Sequence, residues 1–467
     1  MPGQFDQWYA RAPAPLQTLS IDARAVVGAC LREGPAFRRT LAWLESTQWY
    51  DASELASLQD ALLARLLRRA VRVPHYQPTL ARLGLATRAN AWASLEQLAV
   101  ITKQTIIEQG RRLIDPHAPR WTLSAAHSSG TTGTPLVVYR DMASIVLEHA
   151  TIWRQWRWAG FRAHDRRATL RGDMVVPVAQ RRPPFWRYNA INRQLFMSSY
   201  HLSAANGRVY LAALREFRPA AIQAYPSSAY LLARFALDAG VRDITPKAVF
   251  TSSEMLFSHQ RETIEEAFRC PVFDLYGTTE RVVTIGTCEH GTYHVFPEYG
   301  IVEFLPAPGQ PDALRVVGTA LHNLAMPLIR YDAGDLVTIR KGMCPCGRNF
   351  PVVDRIEGRA DDYVVTPDGR LLGRLDHIFK GATNIVEGQI VQFAPDQIVV
   401  TVVPALGYTP EDGDRIRHAL LSRTGEDVRV SIQEVAAIPR TKNGKFRAVV
   451  SHCTKDWSAG TIPVGER

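Results

Sequence analysis

Between residues 205 and 280 the chain alternates segments of helical and strand character, and this alternation constrains the fold more than any other feature. An amphipathic stretch over 208–217 precedes a short apolar run, Ala221–Tyr225, and Pro226-Ser227-Ser228 opens another helical stretch. A second apolar run, Ala248–Phe250, leads into Thr251-Ser252-Ser253-Glu254. A helical stretch over 258–268 precedes a third run, Val272–Tyr276, which ends at Gly277-Thr278-Thr279-Glu280. Strand–helix–strand repetition of this kind predicts a parallel sheet covered by helices. Ligands of such sheets gather beyond the carboxyl ends of the strands. Here those ends carry Tyr225-Pro226, Ser253-Glu254 and Tyr276–Glu280.

Upstream, 51–70 reads as an amphipathic helix. Asp51 and Glu54 have capping-box spacing, and leucines recur at 55, 58, 62, 63, 66 and 67. From about 295 the pattern becomes β-rich, as in Gly300–Phe304 and Leu314–Gly318. Gly358-Arg359-Ala360-Asp361-Asp362 reads as a junction. Beyond it lie strands near 389–403, a helix over 410–424, a strand near 427–433 and the turn Pro439–Arg447. The expected fold is α/β: a large domain over 1–358, with a parallel sheet and a β-rich subdomain, and a small α+β domain over 359–467.

The 467 residues, 46% hydrophobic, suffice for more than one core. No apolar run is long enough to span a bilayer. The N-terminal residues lack the order of a secretory signal, and six cysteines in so long a chain do not read as a disulfide framework. A reducing cytoplasm is the expected location. The net charge of +10 suits anionic ligands such as a nucleotide, coenzyme A, an acidic carrier protein or nucleic acid, and does not choose among them. The run Arg65-Leu66-Leu67-Arg68-Arg69 fits the solvated face of a helix rather than a nucleic-acid stripe.

Four segments carry chemistry. The first is the loop Ser128-Ser129-Gly130-Thr131-Thr132-Gly133, rich in hydroxyls and unhindered amides that suit phosphate oxygens. It lacks the Gly-Lys-Ser/Thr of a Walker loop. The second is Tyr276-Gly277-Thr278-Thr279-Glu280, an aromatic ring able to cover a base followed by a carboxylate able to hold Mg²⁺. In the third, Arg330–Asp335, the carboxylate of Asp335 can accept two ribose hydroxyls. The fourth, Pro439–Lys445, presents Lys445 from a Gly-containing turn. Read singly, Asp335 is a turn cap, Glu280 a helix N-terminal charge and Lys445 a solvated lysine. A separate group, Cys288, His290 or His294, Cys344 and Cys346, can complete a tetrahedral zinc site; the alternative is three buried, inert cysteines.

In this order the segments resemble the adenylate-forming superfamily of acyl-CoA ligases, carrier-protein adenylation domains and luciferases. More narrowly they resemble the phenylacetate–CoA ligase branch and its capsule-biosynthesis type, over roughly residues 55–455. Arg187-Tyr188-Asn189, Ser198–Ser203 and Asp361–Arg370 extend the likeness to that type. One departure is Leu136, where many members carry a lysine after the loop's proline; relatives of the phenylacetate branch also lack it. The resemblance implies ATP-dependent activation of an aryl or fatty carboxylic acid to acyl-AMP, then transfer to coenzyme A, an amine or a carrier-protein thiol. It implies Mg²⁺ held by Glu280 and Lys445 bridging carboxylate and phosphate. Arg359 and Arg355 would contact ribose or phosphate, with Ser253 and Glu254 beside the nucleotide. Asp361 would be the hinge of a mobile small domain. His201, Tyr225 and Pro226 would line the acyl pocket, and zinc would be structural, with His294 fitting the family position better than His290. Trp153, Trp156 and Trp158 read as core or as an aromatic pocket. The rival reading is a non-catalytic, basic, zinc-stabilised binding protein; intact Glu280, Asp335 and Lys445 argue against it.

Overall fold

The computed structural model of the chain describes residues 8–9, 11–84, 86–127, 136–307, 310–340, 342–359, 364–367, 371–372, 375–379, 384–441 and 444–453. The loop Ser128–Gly133, the side chain of Arg359 and the hinge candidate Asp361 lie outside the described part. Asp51 caps the helix Ala52–Ala70. Its carboxylate accepts from the Glu54 amide at 2.8 Å, while Glu54 accepts from the Asp51 amide at 2.8 Å. Two otherwise unpaired backbone groups at the helix start are thereby satisfied. On the inward face Leu63, Leu66, Leu67 and Ala70 are fully buried and share one core with Val316, Leu328 and Val337. Each leucine buried in this way stabilises the fold by roughly 1.5–3 kcal/mol.

Strands β1 (Ser124–His127) and β2 (Val137–Arg140) form an antiparallel hairpin flanking the hydroxyl–glycine loop. The large sheet contains β3 (Arg167–Arg171), β4 (Trp186–Asn189), β5 (Gln194–Ser198), β6 (Ala221–Ala224), β7 (Ala248–Ser252) and β8 (Val272–Gly277). It continues with β9 (Thr284–Thr287), β10 (Tyr293–Val295), β11 (Gly300–Ala307), β12 (Gln310–Ala320), β13 (Tyr331–Ile339) and β14 (Val352–Arg359). The strand order is β11-β12-β13-β14-β10-β9-β8-β7-β6-β3-β5-β4. Pairs β5–β3, β3–β6, β6–β7 and β7–β8 are parallel, and β8–β9 is antiparallel. The expected parallel sheet and β-rich subdomain are therefore one continuous mixed sheet. The connection 278–283 is too short for a crossover helix, so β9 must return antiparallel to β8. The helices Gly207–Phe217, Pro226–Asp238 and Ser258–Phe268 stand where the periodicity puts them.

Beyond β14 lie the short strands β15 (Val364–Val365) and β16 (Leu371–Leu372). A separate sheet of order β19-β18-β17-β20 follows, made of β17 (Ile385–Ala394), β18 (Gln397–Pro404), β19 (Arg429–Glu434) and β20 (Val449–Ser451). The helix Pro410–Thr424 covers it, and Ile390, Ile398, Val400, Ile416 and Leu420 form its own core. Among the described residues no helix is long and apolar enough to cross a membrane.

Candidate active site

A cavity of about 700 Å³ opens where the parallel strands end. Arg171 reaches it from β3, Ser252, Ser253 and Glu254 from β7, and Tyr276 through Glu280 from β8. Asp335 of β13 forms one wall, and Thr441, Lys445 and Phe446 of the small domain reach it from the other side. The cavity thus gathers both halves of the molecule around the strand ends, as the parallel-sheet rule requires.

The polar groups are fixed before any ligand arrives. The Tyr276 hydroxyl donates to Asp335 Oδ2 at 2.6 Å, and Asp335 is buried. The Tyr331 hydroxyl donates to Glu280 Oε1 at 2.9 Å. Arg140, from β2, donates to the Thr279 carbonyl and so pins the turn between Tyr276 and Glu280. Burial, then the neighbouring Arg281, pulls the Arg140 pKa below its usual value. Ser253 adopts φ 72°, the left-handed region that a non-glycine residue occupies only at a cost. Its hydroxyl accepts from Arg171 Nη2 at 3.3 Å. Glu254 accepts from the Phe446 amide at 2.6 Å and from the Ser227 amide at 3.1 Å. Burial raises the Glu254 pKa, and the Phe446 amide is the first of the bonds opposing that rise. Asp274 lies at the cavity floor, accepting from Thr251 at 2.6 Å and Tyr293 at 2.8 Å. One flank is apolar: Ile145, Ile152, Trp156 and Phe250, the last two stacked at 5.3 Å.

The structure brings together Ser253, Glu254, Tyr276, Gly277, Thr278, Thr279, Glu280, Asp335 and Lys445. Among the described residues, His201, Tyr225, Pro226 and Arg355 do not line this cavity. His201 is buried against Phe185 at 4.7 Å, with Nδ1 2.8 Å from the Ser198 hydroxyl. Tyr225 and Pro226 are buried at the start of the helix Pro226–Asp238. Tyr225 is the N-cap of that helix and Pro226 its first residue, and neither lines the cavity. Arg355 sits on β14, paired with Asp354 and Glu357, and Glu357 rather than Arg355 lines the cavity. Of the tryptophans, Trp156 reaches the cavity, whereas Trp153 packs in the core against Phe37 and Phe161. Sequence reasoning missed Arg140, Arg171, Asp274 and Tyr331. Arg171 ends a parallel strand, but no preceding strand–helix rhythm marks β3.

The cysteine–histidine group is assembled apart from the cavity. Cys288 follows β9, His294 lies on β10, and Cys344 and Cys346 follow β13; their ligand atoms all lie within 4.8 Å of one another. Cys288 Sγ is 3.6 Å from Cys344 Sγ, and Cys346 Sγ is 3.5 Å from His294 Nε2. A disulfide would bring the sulfurs to about 2.05 Å. Zn–S and Zn–N bonds of about 2.3 and 2.05 Å give tetrahedral edges of about 3.8 and 3.5 Å, so the donor set fits zinc. His294 Nδ1 faces the Phe350 carbonyl at 3.4 Å, which leaves Nε2 toward the thiols. Burial lowers the His294 pKa to about 4, keeping the ring in its neutral, ligating form. His290 is not a member; its amide donates to Cys288 Sγ at 3.4 Å.

Comparison with known proteins agrees with this geometry. A family described as the CapK C-terminal domain matches residues 364–452. Protein CapK of Staphylococcus aureus is 25% identical over 388 residues, covering 81% of this chain and 84% of that protein. Phenylacetate-coenzyme A ligase of Thermus thermophilus is 26% identical over 451 residues, covering 85% and 96%. A crystal structure of 2-hydroxyisobutyryl-CoA ligase in the postadenylation state, in complex with 2-HIB-AMP, matches with a TM-score of 0.65 at 19% identity, covering 86% and 91%. The same ligase in the thioesterification state gives 0.54 at 20% identity, with the same coverage. In fold the chain matches the adenylate-forming ligases, and in sequence it is similar to the branch of them that holds CapK and the phenylacetate–coenzyme A ligases.

Proposed function

We propose that the protein activates a carboxylic acid with ATP and transfers the acyl group to coenzyme A. The observation that carries this reading is the single cavity lined by Lys445, Glu280 and the Tyr276–Asp335 pair. In the first half-reaction a carboxylate oxygen attacks the α-phosphorus, the bond to the β-phosphate oxygen breaks, and pyrophosphate leaves. Two anions must meet, so cations have to offset their repulsion at the reacting atoms. Lys445 would supply one such charge on a long, compact-headed side chain. Mg²⁺, when bound, would neutralise phosphate charge; Glu280, held by Tyr331, is its candidate ligand. Asp335, aimed by Tyr276, would accept the ribose hydroxyls. In the second half-reaction the thiol sulfur attacks the acyl carbon, AMP leaves, and the thiol proton passes to phosphate or solvent.

That several of the relatives are coenzyme A ligases favours coenzyme A as acceptor over an amine or carrier protein. The apolar flank of Ile145, Ile152, Trp156 and Phe250 suits an aryl or other apolar acid. The junction after Arg359, including Asp361, would be the pivot of the small domain. The group Cys288, His294, Cys344 and Cys346 would hold a structural zinc; four protein ligands leave no open position for chemistry.

Pyrophosphate release, screened over aryl and fatty acids with and without coenzyme A, tests the reading. The expected result is release dependent on one acid class and a thioester product found by mass spectrometry. No acid-dependent release, together with salt-sensitive binding to nucleic acid, would favour a basic binding protein instead.

A further inference from the structure

Two contacts fix the Lys445 turn against the large domain, one on each side of the lysine. On one side the Phe446 amide donates to Glu254 Oε1 at 2.6 Å. Glu254 is held in turn by the Ser227 amide at the start of the helix Pro226–Asp238. On the other side Gly444, at φ 71°, lies so near the chain after β3 that an added Cβ would fall 2.8 Å from Gly172 Cα and 3.3 Å from the Tyr200 ring. That surface is itself braced. Tyr200 donates to the Gly172 carbonyl at 3.1 Å, and Ser199 donates to the Arg171 carbonyl at 2.8 Å. The segment Ser199–His201 does not line the cavity, and this brace gives it a task.

We infer that Glu254, together with Gly172 and Tyr200, forms the seat that holds the Lys445 turn over the cavity. Glu254 is thereby a positioning residue for acid activation, not only a neighbour of the nucleotide. Its two oxygens accept one amide from each domain, so its geometry joins the end of β7 to the residue after the lysine. Gly444 is required because no side chain fits between the two backbones there, and because the turn needs a positive φ. The kinetic part of this inference rests on the function proposed above; the seat itself does not.

The test uses the full chain with Glu254→Gln and, separately, Gly444→Ala. In Glu254→Gln an NH₂ group replaces one of the two acceptors facing N–H donors. Hydrogen exchange read by mass spectrometry should show the Phe446 amide protected in the parent and exchanging faster in both variants. With an acid found by the pyrophosphate screen, acyl-AMP formation should fall roughly tenfold to hundredfold, the loss of a charge-assisted hydrogen bond. Thioester formation from supplied acyl-AMP should fall at least about fivefold less than acyl-AMP formation does in the same variant, since the second step does not use this docked pose. Unchanged Phe446 exchange in Glu254→Gln overturns the seat. Equal slowing of both half-reactions, with a lower melting temperature, makes Glu254 structural and overturns the positioning role. Should Glu254→Gln fail to fold, Gly444→Ala decides by the same two readouts. If the parent releases no pyrophosphate with any acid, the proposed function fails, and the exchange arm still decides the seat.

Discussion

Replacing Tyr276 by phenylalanine isolates a single bond in the proposed nucleotide site. The ring that would cover the base remains; only the hydroxyl that donates to Asp335 at 2.6 Å is lost. A hydrogen bond to a charged group contributes about 1.5–3 kcal/mol. Asp335 is only 9% exposed, so water replaces the missing donor poorly. The bond exists before ATP binds, so part of its loss appears in folding stability and part in freedom of the carboxylate. The lower end of the range, about 1.5 kcal/mol, is the share expected in ATP binding, or about tenfold in KM for ATP. The KM values for the acid and coenzyme A should hold within about twofold, because neither would touch Asp335. Steady-state kinetics with each substrate varied in turn make the measurement, and Tyr276→Leu, which also removes the ring, should lose more. An unchanged KM for ATP in Tyr276→Phe would refute the reasoning that Asp335 must be aimed to bind ribose. Equal rises for all three substrates would do the same.

Lys445→Ala should abolish acyl-AMP formation while leaving thiolation of preformed acyl-AMP largely intact; single-turnover assays showing both halves slowed alike would remove its assigned role. One zinc per chain is expected in untagged protein, and its removal, or Cys344→Ser, should lower the melting temperature more than it alters the chemistry; metal-free protein with three freely titratable thiols would exclude the site. Arg154→Met should cost about 3–5 kcal/mol in denaturant unfolding, because the buried Glu298 carboxylate, 2.7 Å from that guanidinium, loses its charged partner and keeps the Thr47 hydroxyl at 2.7 Å. A shift in stability below about 1 kcal/mol would show that Glu298 finds another partner.

What was legible in the sequence follows from the range of the interactions. The helix Ser258–Phe268 and strand Val272–Gly277 are set by local periodicity, and they form where that periodicity predicts. The candidate metal ligands are legible in type because cysteine and histidine cluster in two short segments. The preference for His294 over His290 comes from the family resemblance alone; its physical basis is the pairing of β10 with β9 and β14, which brings the segments near 288 and 344 together. The continuity of the sheet was not legible, because β10 pairs with β14 across three intervening strands of the chain. Nor was the second role of Glu254, whose partner Phe446 lies 192 residues away. Arg171 escaped notice for a related reason: β3 sits between β5 and β6, and the chain after it reaches β5 through irregular segments and β4 rather than a crossover helix.

The register of the last two strands of the large domain bears on how the small domain would move. Arg359, the final residue of β14, lies opposite Asp335 on β13. The chain therefore leaves the large sheet directly beside the carboxylate proposed to hold the ribose. Glu254 and Gly172 meet the small domain at a second point, around Lys445. A rigid domain attached covalently at one point and by hydrogen bond and close packing at another has one soft motion: release at the second, turning about the first. Turning about the junction after Arg359 would carry Lys445 away from the acyl phosphate while the adenylate stays clasped at Asp335. The lysine's departure would clear the side from which an acceptor thiol must approach. Activation and transfer would then share one cavity in sequence, with the adenylate held in place between them.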